Sequence, residues 1–366
     1  MATRFVNKAA RLADITNHPT AAGIGFYGGR FYGNFNGTVA PLDGYPSFGN
    51  VLLVDGDSGS DTDERLPYLT IQAAVTAASQ GDTIYVKALE GDSASGDTDP
   101  DSYTENITIP AGKDGLSIVG VSRGLAQGGQ PQIKVGTTTT SPIITVEAFG
   151  VMLAGLTING AGATGGGVKI VSDDTVGATK DAGGLVVQGC HFKNCKSSAA
   201  AATGGAIYWS TDGGAWYVSI YGNEFIDCRA GICMLGSGIS VPRHVKIVGN
   251  RFGSSANTTV DADIYVAGSG IVDLFIDGNV FATVDAPAYA SSPDAARYIQ
   301  LAAGTSGLIS NNVFACLTGP TGNTELTFGA AGTAAIVPTT VRFAQNYGEA
   351  NVAGIGVEES GVVVRT

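Results

Sequence analysis

The chain has 366 residues, of which 44% are hydrophobic and only 14% are charged, and it contains 54 glycines. So much apolar surface excludes a disordered chain, because disorder goes with low hydrophobicity and high charge. A formal net charge of −12 would repel phosphate backbones, so we expect no nucleic-acid partner.

The first residues do not resemble a targeting signal. The segment from Met1 to Lys8 lacks an apolar core followed by a cleavage site, so we predict no signal peptide. No run in the sequence approaches the roughly 18 apolar residues that a membrane-spanning helix needs, and we expect no membrane span. The chain is therefore expected to be synthesised in a host cytoplasm and not exported by the general secretory route.

Residues 1–50 fit no regular pattern and form a glycine-rich, aromatic segment. Aromatic side chains favour protein interfaces, so the segment is a candidate for attachment to other subunits or proteins. The alternative is a flexible leader that lies over the start of the following domain. The candidate attachment residues are Phe26, Tyr27, Phe31, Tyr32 and Phe35.

Residues 51–110 predict strands on either side of one short helix. A strand at Val51–Val54 leads into an Asp/Gly/Ser turn, residues 69–78 have the periodicity of an amphipathic helix, and Ile84–Val86 begins the next strand. Two acidic stretches could supply oxygen ligands to calcium. Neither has the EF-hand spacing, and aspartate in such turns more often caps the backbone, so we assign no metal and keep calcium as the alternative. These acids are Asp55, Asp57, Asp61, Asp63 and Glu64, and then Asp92, Asp97, Asp99 and Asp101.

One phrase recurs through the second half of the chain: apolar-x-apolar-x-Gly-Asn-x-Phe. It occupies residues 218–225, 245–252 and 274–281, and looser copies lie upstream and downstream. Its turn position advances by 33, 27, 29, 33 and 34 residues from Gly189 onward. A variable period of this length indicates solenoid coils with loops of different lengths and excludes heptad or ankyrin-type helical arrays.

Each phrase predicts a half-buried strand, a left-handed turn at glycine and an inward-facing aromatic residue. Stacked coils would bring equivalent asparagines within about 4.8 Å of each other, so we predict an amide ladder along one corner. The ladder residues are Asn223, Asn250, Asn279, Asn312 and Asn346. The aromatic column beside it is predicted to contain Phe192, Phe225, Phe252, Phe281, Phe314 and Tyr347.

Further alternating segments between the phrases predict two or three strands per coil, for example Ala206–Trp209 and Asp263–Val266. The cysteines obey the same register, because Cys195 and Cys228 each lie three residues after a phrase phenylalanine. We expect both thiols to face inward on adjacent rungs as reduced core residues, with a disulfide between them as the alternative.

Residues 51–120 resemble the entry into pectin-lyase-like right-handed β-helices. The resemblance covers about residues 51–366, and its motifs are VDG-x-x-GSD at 54–61, TIQAAV at 70–75, GDTIYV at 81–86, Y-x-E-x-I-x-I at 103–109 and a strand that ends at Gly120. It implies that the helix at 69–78 covers the open end of the first coil. Unexported β-helices with a small N-terminal segment also resemble bacteriophage tailspikes, head fibres and capsid decorations, which implies a homotrimer.

Catalytic signatures of β-helix enzymes are weak here. Asp173 and Asp174 form the one adjacent acidic pair on a coil loop, and paired carboxylates can act as acid and base, but adjacent acids on such a loop are more often a solvated turn. The acids Asp261, Asp263, Asp273 and Asp277 lack a convincing basic partner for lyase chemistry. Trp209 and Trp216 flank a loop and could contact sugars, although they could also cover a coil edge. His191 and His244 are expected to be surface or turn residues.

The sequence thus predicts an all-β fold, a right-handed single-stranded parallel β-helix over residues 51–366, preceded by an attachment segment at 1–50. We interpret the chain as a structural surface protein of a bacteriophage virion, leaning away from an enzyme. Its expected partners are two further copies of itself, other virion proteins through residues 1–50, and host surface polysaccharide. The alternatives are a tailspike-type polysaccharide depolymerase, either a hydrolase or a lyase, and a non-enzymatic glycan-binding adhesin.

Overall fold

The computed structural model describes most of the chain between residues 24 and 348. The described residues are 24–27, 30–35, 38–41, 49–63, 66–90, 101–121, 129–173, 179–195, 205–210, 214–236, 241–253, 262–283, 297–302, 304–316 and 340–348. The predicted C-terminal end of the β-helix, beyond residue 348, lies outside them.

The described elements are one helix, α1 (Ile71–Ala77), and 29 strands. The first group of strands comprises β1 (Ile24–Tyr27), β2 (Arg30–Phe35), β3 (Thr38–Pro41), β4 (Val51–Val54), β5 (Thr83–Lys87), β6 (Ser102–Thr104), β7 (Ile107–Ile109), β8 (Ser117–Val121), β9 (Gln132–Lys134) and β10 (Ile144–Val146). The second comprises β11 (Met152–Ala154), β12 (Thr157–Asn159), β13 (Val168–Ile170), β14 (Val186–Gln188), β15 (His191–Lys193), β16 (Ile207–Trp209), β17 (Ser219–Tyr221), β18 (Glu224–Ile226), β19 (Ala230–Gly236) and β20 (Lys246–Val248). The third comprises β21 (Arg251–Gly253), β22 (Ala262–Gly268), β23 (Leu274–Asp277), β24 (Val280–Thr283), β25 (Arg297–Gln300), β26 (Gly307–Ser310), β27 (Val313–Cys316), β28 (Val341–Ala344) and β29 (Tyr347–Gly348).

Three parallel sheets form the body of the molecule, and the chain visits them in rotation. Within the described residues, sheet 1 has ten strands in the order β28-β26-β23-β20-β17-β14-β11-β8-β5-β4, and sheet 2 has nine in the order β29-β27-β24-β21-β18-β15-β12-β9-β6. Sheet 3 has seven, in the order β25-β22-β19-β16-β13-β10-β7. Each strand therefore pairs with the strand one full coil away, which is the topology of a parallel β-helix. The predicted fold class is confirmed, with three strands in each complete coil.

The core is a set of inward-facing columns that run through successive coils. In sheet 3, for example, Ile144 pairs with Val168, Val168 with Ile207 and Ile207 with Ile232, and all four side chains are fully buried. Alternate residues point outward because the side-chain direction in a strand has a period of two. Burial of these columns is the main stabilising contribution, since no single coil can bury its apolar face alone.

A phenylalanine column lies inside sheet 2. The rings of Phe192, Phe225, Phe252 and Phe281 stack with centroid separations of 5.0, 4.8 and 4.9 Å and near-parallel planes. Tyr347 does not continue the column as predicted, because it pairs with Val313 and not with Phe314, and it is 59% exposed. Asn346 is followed directly by the tyrosine, without the intervening residue of the other phrases, and a one-residue slip reverses the face of a strand.

Helix α1 lies over the first coil, where it buries Ile71, Ala74 and Val75. Thr70 caps its N-terminus by accepting from the Ala73 amide, and the Glu105 carboxylate accepts from the amides of Ile71 and Gln72 at 2.8 Å each. These contacts satisfy amides that have no partner within a helix. The helix thereby covers apolar side chains at the end of the solenoid, as the resemblance implied. Among the described residues no helix is long and apolar enough to cross a membrane.

A separate small sheet lies within the predicted attachment segment. Strands β1, β2 and β3 form a three-stranded antiparallel meander in which Phe26 is the cross-strand partner of Phe31. Phe26 and Tyr27 belong to β1, and Phe31, Tyr32 and Phe35 belong to β2. The side chains of these five residues lie outside the described part of the structure, but their backbone is regular strand.

Candidate functional site

The asparagines of the repeated phrase form one continuous column at the corner between sheets 1 and 2. The backbone N–H and the Nδ2 of each asparagine both donate to the Oδ1 of the next, at 2.9–3.1 Å, from Asn223 through Asn250, Asn279 and Asn312 to Asn346. The same Nδ2 atoms also donate to main-chain carbonyls of the preceding coil, such as Val187 and Ile220. These side chains are buried and their hydrogen bonds are directed within the column, so their role is to hold the coils in register.

The turn that precedes this column requires a left-handed backbone. Gly222, Gly249 and Gly278 have φ values of +64°, +63° and +63°, and Asn311 and Gln345 adopt the same conformation in the last two coils. A Cβ would meet nothing within 4 Å at these glycines. The glycines are therefore present for backbone freedom and not for space. At the upstream end, Cys190 occupies the asparagine position, and its amide donates to Asn223 Oδ1.

The structure describes one of the two candidate catalytic acids. Asp173 is partly buried beside β13, where its amide donates to the Lys180 carbonyl, and Asp174 lies outside the described residues. Next to them, Ser172 Oγ bonds to Asp181, and Lys180 forms a 2.6 Å ion pair with Glu147. These contacts hold the two ends of the loop together.

The described acids among those considered for lyase chemistry lie in different parts of the coil. Asp263 is buried in β22, and burial raises its pKa to about 8. Asp277 accepts hydrogen bonds from Ser310 and Asn311 on the next coil, whereas Asp273 pairs with His244 at another corner. Asp261 lies outside the described residues. Among the residues described, no group of three or more His, Cys, Asp and Glu side chains has the arrangement of a metal site.

The first acidic stretch is occupied with turn and helix contacts. Burial raises the pKa of Asp55, but hydrogen bonds from the Ser58 hydroxyl and the Asp57 amide and an ion pair with Lys87 at 3.1 Å lower it by more, so the net shift is downward. Asp61 accepts from the amides of Leu69 and Thr70 ahead of α1. Glu64, Asp92, Asp97 and Asp99 lie outside the described residues.

The cysteines of the register argument are core thiols. Cys190, Cys195 and Cys228 are buried free thiols, and Cys233 is buried as well. Cys228 lies within hydrogen-bonding reach of Cys195 on the adjacent coil, and burial raises the pKa of Cys228 well above its usual value. Such thiols are weak nucleophiles, because the thiolate is the reactive form.

The most distinctive exposed feature is a row of aromatic and polar side chains at the corner between sheets 3 and 1. We call it the corner strip, and its members lie one or two positions before the first apolar residue of a phrase, which is Val151, Val218, Val245 or Leu274. Phe149, Trp216 and Tyr217 are 49%, 44% and 57% exposed. The members of the corner strip are Phe149, Trp216, Tyr217, Arg243, His244 and Asp273.

Contacts between coils tie the corner strip together. The Tyr217 ring stacks on the His244 imidazole with centroids 4.9 Å apart, and His244 Nδ1 lies 3.2 Å from the Asp273 carboxylate. The Arg243 guanidinium lies 5.4 Å from the centre of the Trp216 ring, in a cation–π contact. The Phe149 ring lies over Gly183 and Gly184 of the next coil, where a Cβ would come within 3.1–3.2 Å of it.

The backbone at the corner strip is left-handed at one equivalent position in six successive coils. Gly115, Gly150 and Gly184 occupy this position in three coils, with φ between +67° and +70°. Tyr217, His244 and Asp273 occupy it in the next three, with φ of +61°, +55° and +57°. Amide-to-carbonyl hydrogen bonds join the coils along this corner, for example from Gly184 to Trp216, from Tyr217 to Arg243 and from His244 to Val272.

Sequence reasoning found only part of this site. Trp209, the other tryptophan considered for sugar contact, is fully buried in the core, whereas Trp216 is exposed. His244 is a turn residue, as expected, but its partners Tyr217 and Asp273 were not identified. The signal was available, because all of these residues lie one or two positions before the strand of the repeated phrase.

No protein-family model matches the chain, and no curated protein sequence matches it. Solved structures with a similar fold include pectin methylesterases from rice weevil (14% identity, 80% of this chain and 87% of that chain, TM-score 0.47) and Aspergillus niger (14%, 88% and 91%, 0.48). Another is ORF18 of Geobacillus virus E2 (14% identity, 90% of this chain and 69% of that chain, TM-score 0.44). At these identities the likeness concerns the fold alone.

Proposed function

We propose that the chain is a structural surface protein of a bacteriophage virion, attached to the particle through residues 1–50. The observation that carries the proposal is the N-terminal antiparallel meander. Within the described residues β1–β3 pair only with each other, whereas every later strand belongs to a parallel sheet. A short module of different architecture ahead of a long solenoid is suited to attachment to the virion. The solenoid is suited to projection from the particle surface.

The solenoid itself has the properties that an exposed projecting part needs. Its three sheets are hydrogen-bonded coil to coil, and α1 covers the apolar end of the first coil, which opposes edge-to-edge association. The Asn and Phe columns add specific contacts along its length. A net charge of −12 also favours solubility of the assembled protein.

The attachment proposal predicts a homotrimer that depends on the N-terminal segment. We expect light scattering to give the full chain three times the mass of one 37.0 kDa chain. A chain that begins at Gly49 should be a monomer with an unchanged β-type circular dichroism spectrum. It should start there because the amide and Nδ2 of Asn50 donate to Asp82 in the first coil.

A second variant covers the case in which the shortened chain fails to fold. Substituting Phe31→Ser and Tyr32→Ser in the full chain leaves the solenoid intact and should reduce the mass toward one chain. The matched control is Tyr85→Ser, which removes an exposed tyrosine from sheet 1. A full chain that is monomeric would contradict the assembly role, and a trimer unaffected by either change would place the assembly contacts outside residues 1–48.

A further inference from the structure

The corner strip places large side chains at a backbone position where glycine is the least costly residue. For non-glycine residues the left-handed region costs about 1 kcal/mol or more. Three coils meet the geometric need with Gly115, Gly150 and Gly184. The turn therefore does not require Tyr217 or His244, and a bulky aromatic residue in this conformation calls for another explanation.

Burial does not provide that explanation. Tyr217 is 57% exposed, so more than half of its surface gains nothing from the hydrophobic effect. Its stacking on His244 is worth only about 0.5–1.5 kcal/mol, comparable with the backbone cost. Tyr217 therefore contributes little to the stability of the fold. What it does provide is an aromatic ring on the surface of the solenoid.

The chemistry of the corner strip matches that of a sugar chain. Pyranose rings have apolar C–H faces, which stack on aromatic rings, and hydroxyl edges, which need donors and acceptors. Phe149, Trp216 and Tyr217 supply the apolar contacts, and the Arg243 guanidinium and the Asp273 carboxylate supply a donor and an acceptor. Tyr217, His244 and Asp273 lie on successive coils about 4.8 Å apart, and Phe149 lies two coils from Trp216, so the strip suits a linear polymer that lies along the solenoid axis.

The charges of the corner strip and of the whole chain indicate which class of polymer the strip can bind. The strip contains one cation and one anion, Arg243 and Asp273, with His244 bound between neighbours. The whole chain has a formal charge of −12, which disfavours a polyanion. We propose that the corner strip binds a linear neutral polysaccharide. This goes beyond the virion role, because binding at the corner strip does not depend on the N-terminal segment.

The two tryptophans of the chain make the site directly observable. Trp209 is fully buried and Trp216 is 44% exposed, so collisional quenching by acrylamide reports mainly on Trp216. The probes are hexasaccharides of β-1,4-glucose, α-1,4-glucose, mannose, galactose and N-acetylglucosamine, titrated to millimolar concentrations, with polygalacturonate as the anionic comparison. We expect at least one neutral hexasaccharide to protect Trp216 from acrylamide.

The variant Tyr217→Gly separates a binding role from a structural one. It restores the residue type of the earlier coils, so the denaturation midpoint should stay the same or rise, whereas affinity for the hexasaccharide should fall about tenfold, as loss of an aromatic contact predicts. The control Tyr347→Ser removes an exposed tyrosine from sheet 2 and should leave affinity unchanged.

Three results would overturn the proposal. One is the absence of protection by every neutral hexasaccharide, and another is protection by polygalacturonate alone. The third is a Tyr217→Gly chain that binds like the wild type or that unfolds markedly earlier, since Tyr217 would then serve the fold. None of these results bears on attachment of the chain through residues 1–50.

Discussion

Replacing Asn279 with alanine should lower the free energy of unfolding by about 3–5 kcal/mol, because buried polar groups left without partners cost about 1–3 kcal/mol each. Asn279 is fully buried at the centre of the asparagine column. Its Oδ1 accepts from both the amide and the Nδ2 of Asn250, and its own Nδ2 donates to the carbonyl of Ile247. Alanine would leave the Asn250 amide and the Ile247 carbonyl without these partners. Urea unfolding followed by circular dichroism measures the change.

The matched control is Asn311→Gly on the next coil. Asn311 is exposed and left-handed, and glycine occupies the same turn position at residues 222, 249 and 278. Its loss should change stability by no more than about 0.5 kcal/mol. If the free energy of unfolding of Asn279→Ala equals that of this control within error, water or a neighbouring group replaces the amide. The asparagine column then does not stabilise the coils.

Replacing Asp263 with asparagine should change the free energy of unfolding differently at pH 8 and at pH 4. The change should be more favourable at pH 8 by up to about 5 kcal/mol. Asp263 lies in β22 between the fully buried Ala262 and Ile264, and burial raises its pKa from 3.8 to about 8. Between these values the folded chain holds a proton that the unfolded chain has released. The contribution of Asp263 to stability is therefore greatest below pH 4 and declines as the pH rises toward 8.

Unfolding midpoints of the wild type and of Asp263→Asn between pH 4 and pH 8 test this dependence. The difference between the two chains isolates Asp263, because every other titratable group is common to both. Asp101→Asn, at an exposed carboxyl, is the control and should follow the wild type at every pH. A constant difference between Asp263→Asn and the wild type would mean that Asp263 is ionised throughout this range in the folded protein.

The repeated phrase allowed much of the fold to be predicted, because the same residue types serve the same purpose in successive coils. Glycine at the left-handed turn, asparagine in the buried column and phenylalanine inside sheet 2 each recur at a fixed offset, so their alignment gives the strand register. The error at Tyr347 arose where the phrase lost one residue between Asn346 and the aromatic ring. In a strand that single residue determines whether a side chain points to the core or to solvent.

The corner strip could not be predicted in the same way, because its residue types change from coil to coil. Tyr217, His244 and Asp273 are unlike in chemistry and lie 27 and 29 residues apart in the sequence. They meet only because each occupies the position before the first apolar residue of a repeated phrase, and their exposure depends on the loops that precede them. The buried state of Asp263 was equally hidden, since an aspartate in an alternating segment is normally assigned to the outer face.

The virion role is tested most directly by immunogold electron microscopy. Antibodies raised against the purified chain would be applied to particles of the phage whose genome encodes it. Particles of the same phage with the gene deleted would be the control. If the chain is a virion surface protein, we expect regular gold labelling on the particle surface that is absent from the deletion particles. Labelling confined to unassembled protein in the lysate, with bare particles, would contradict it.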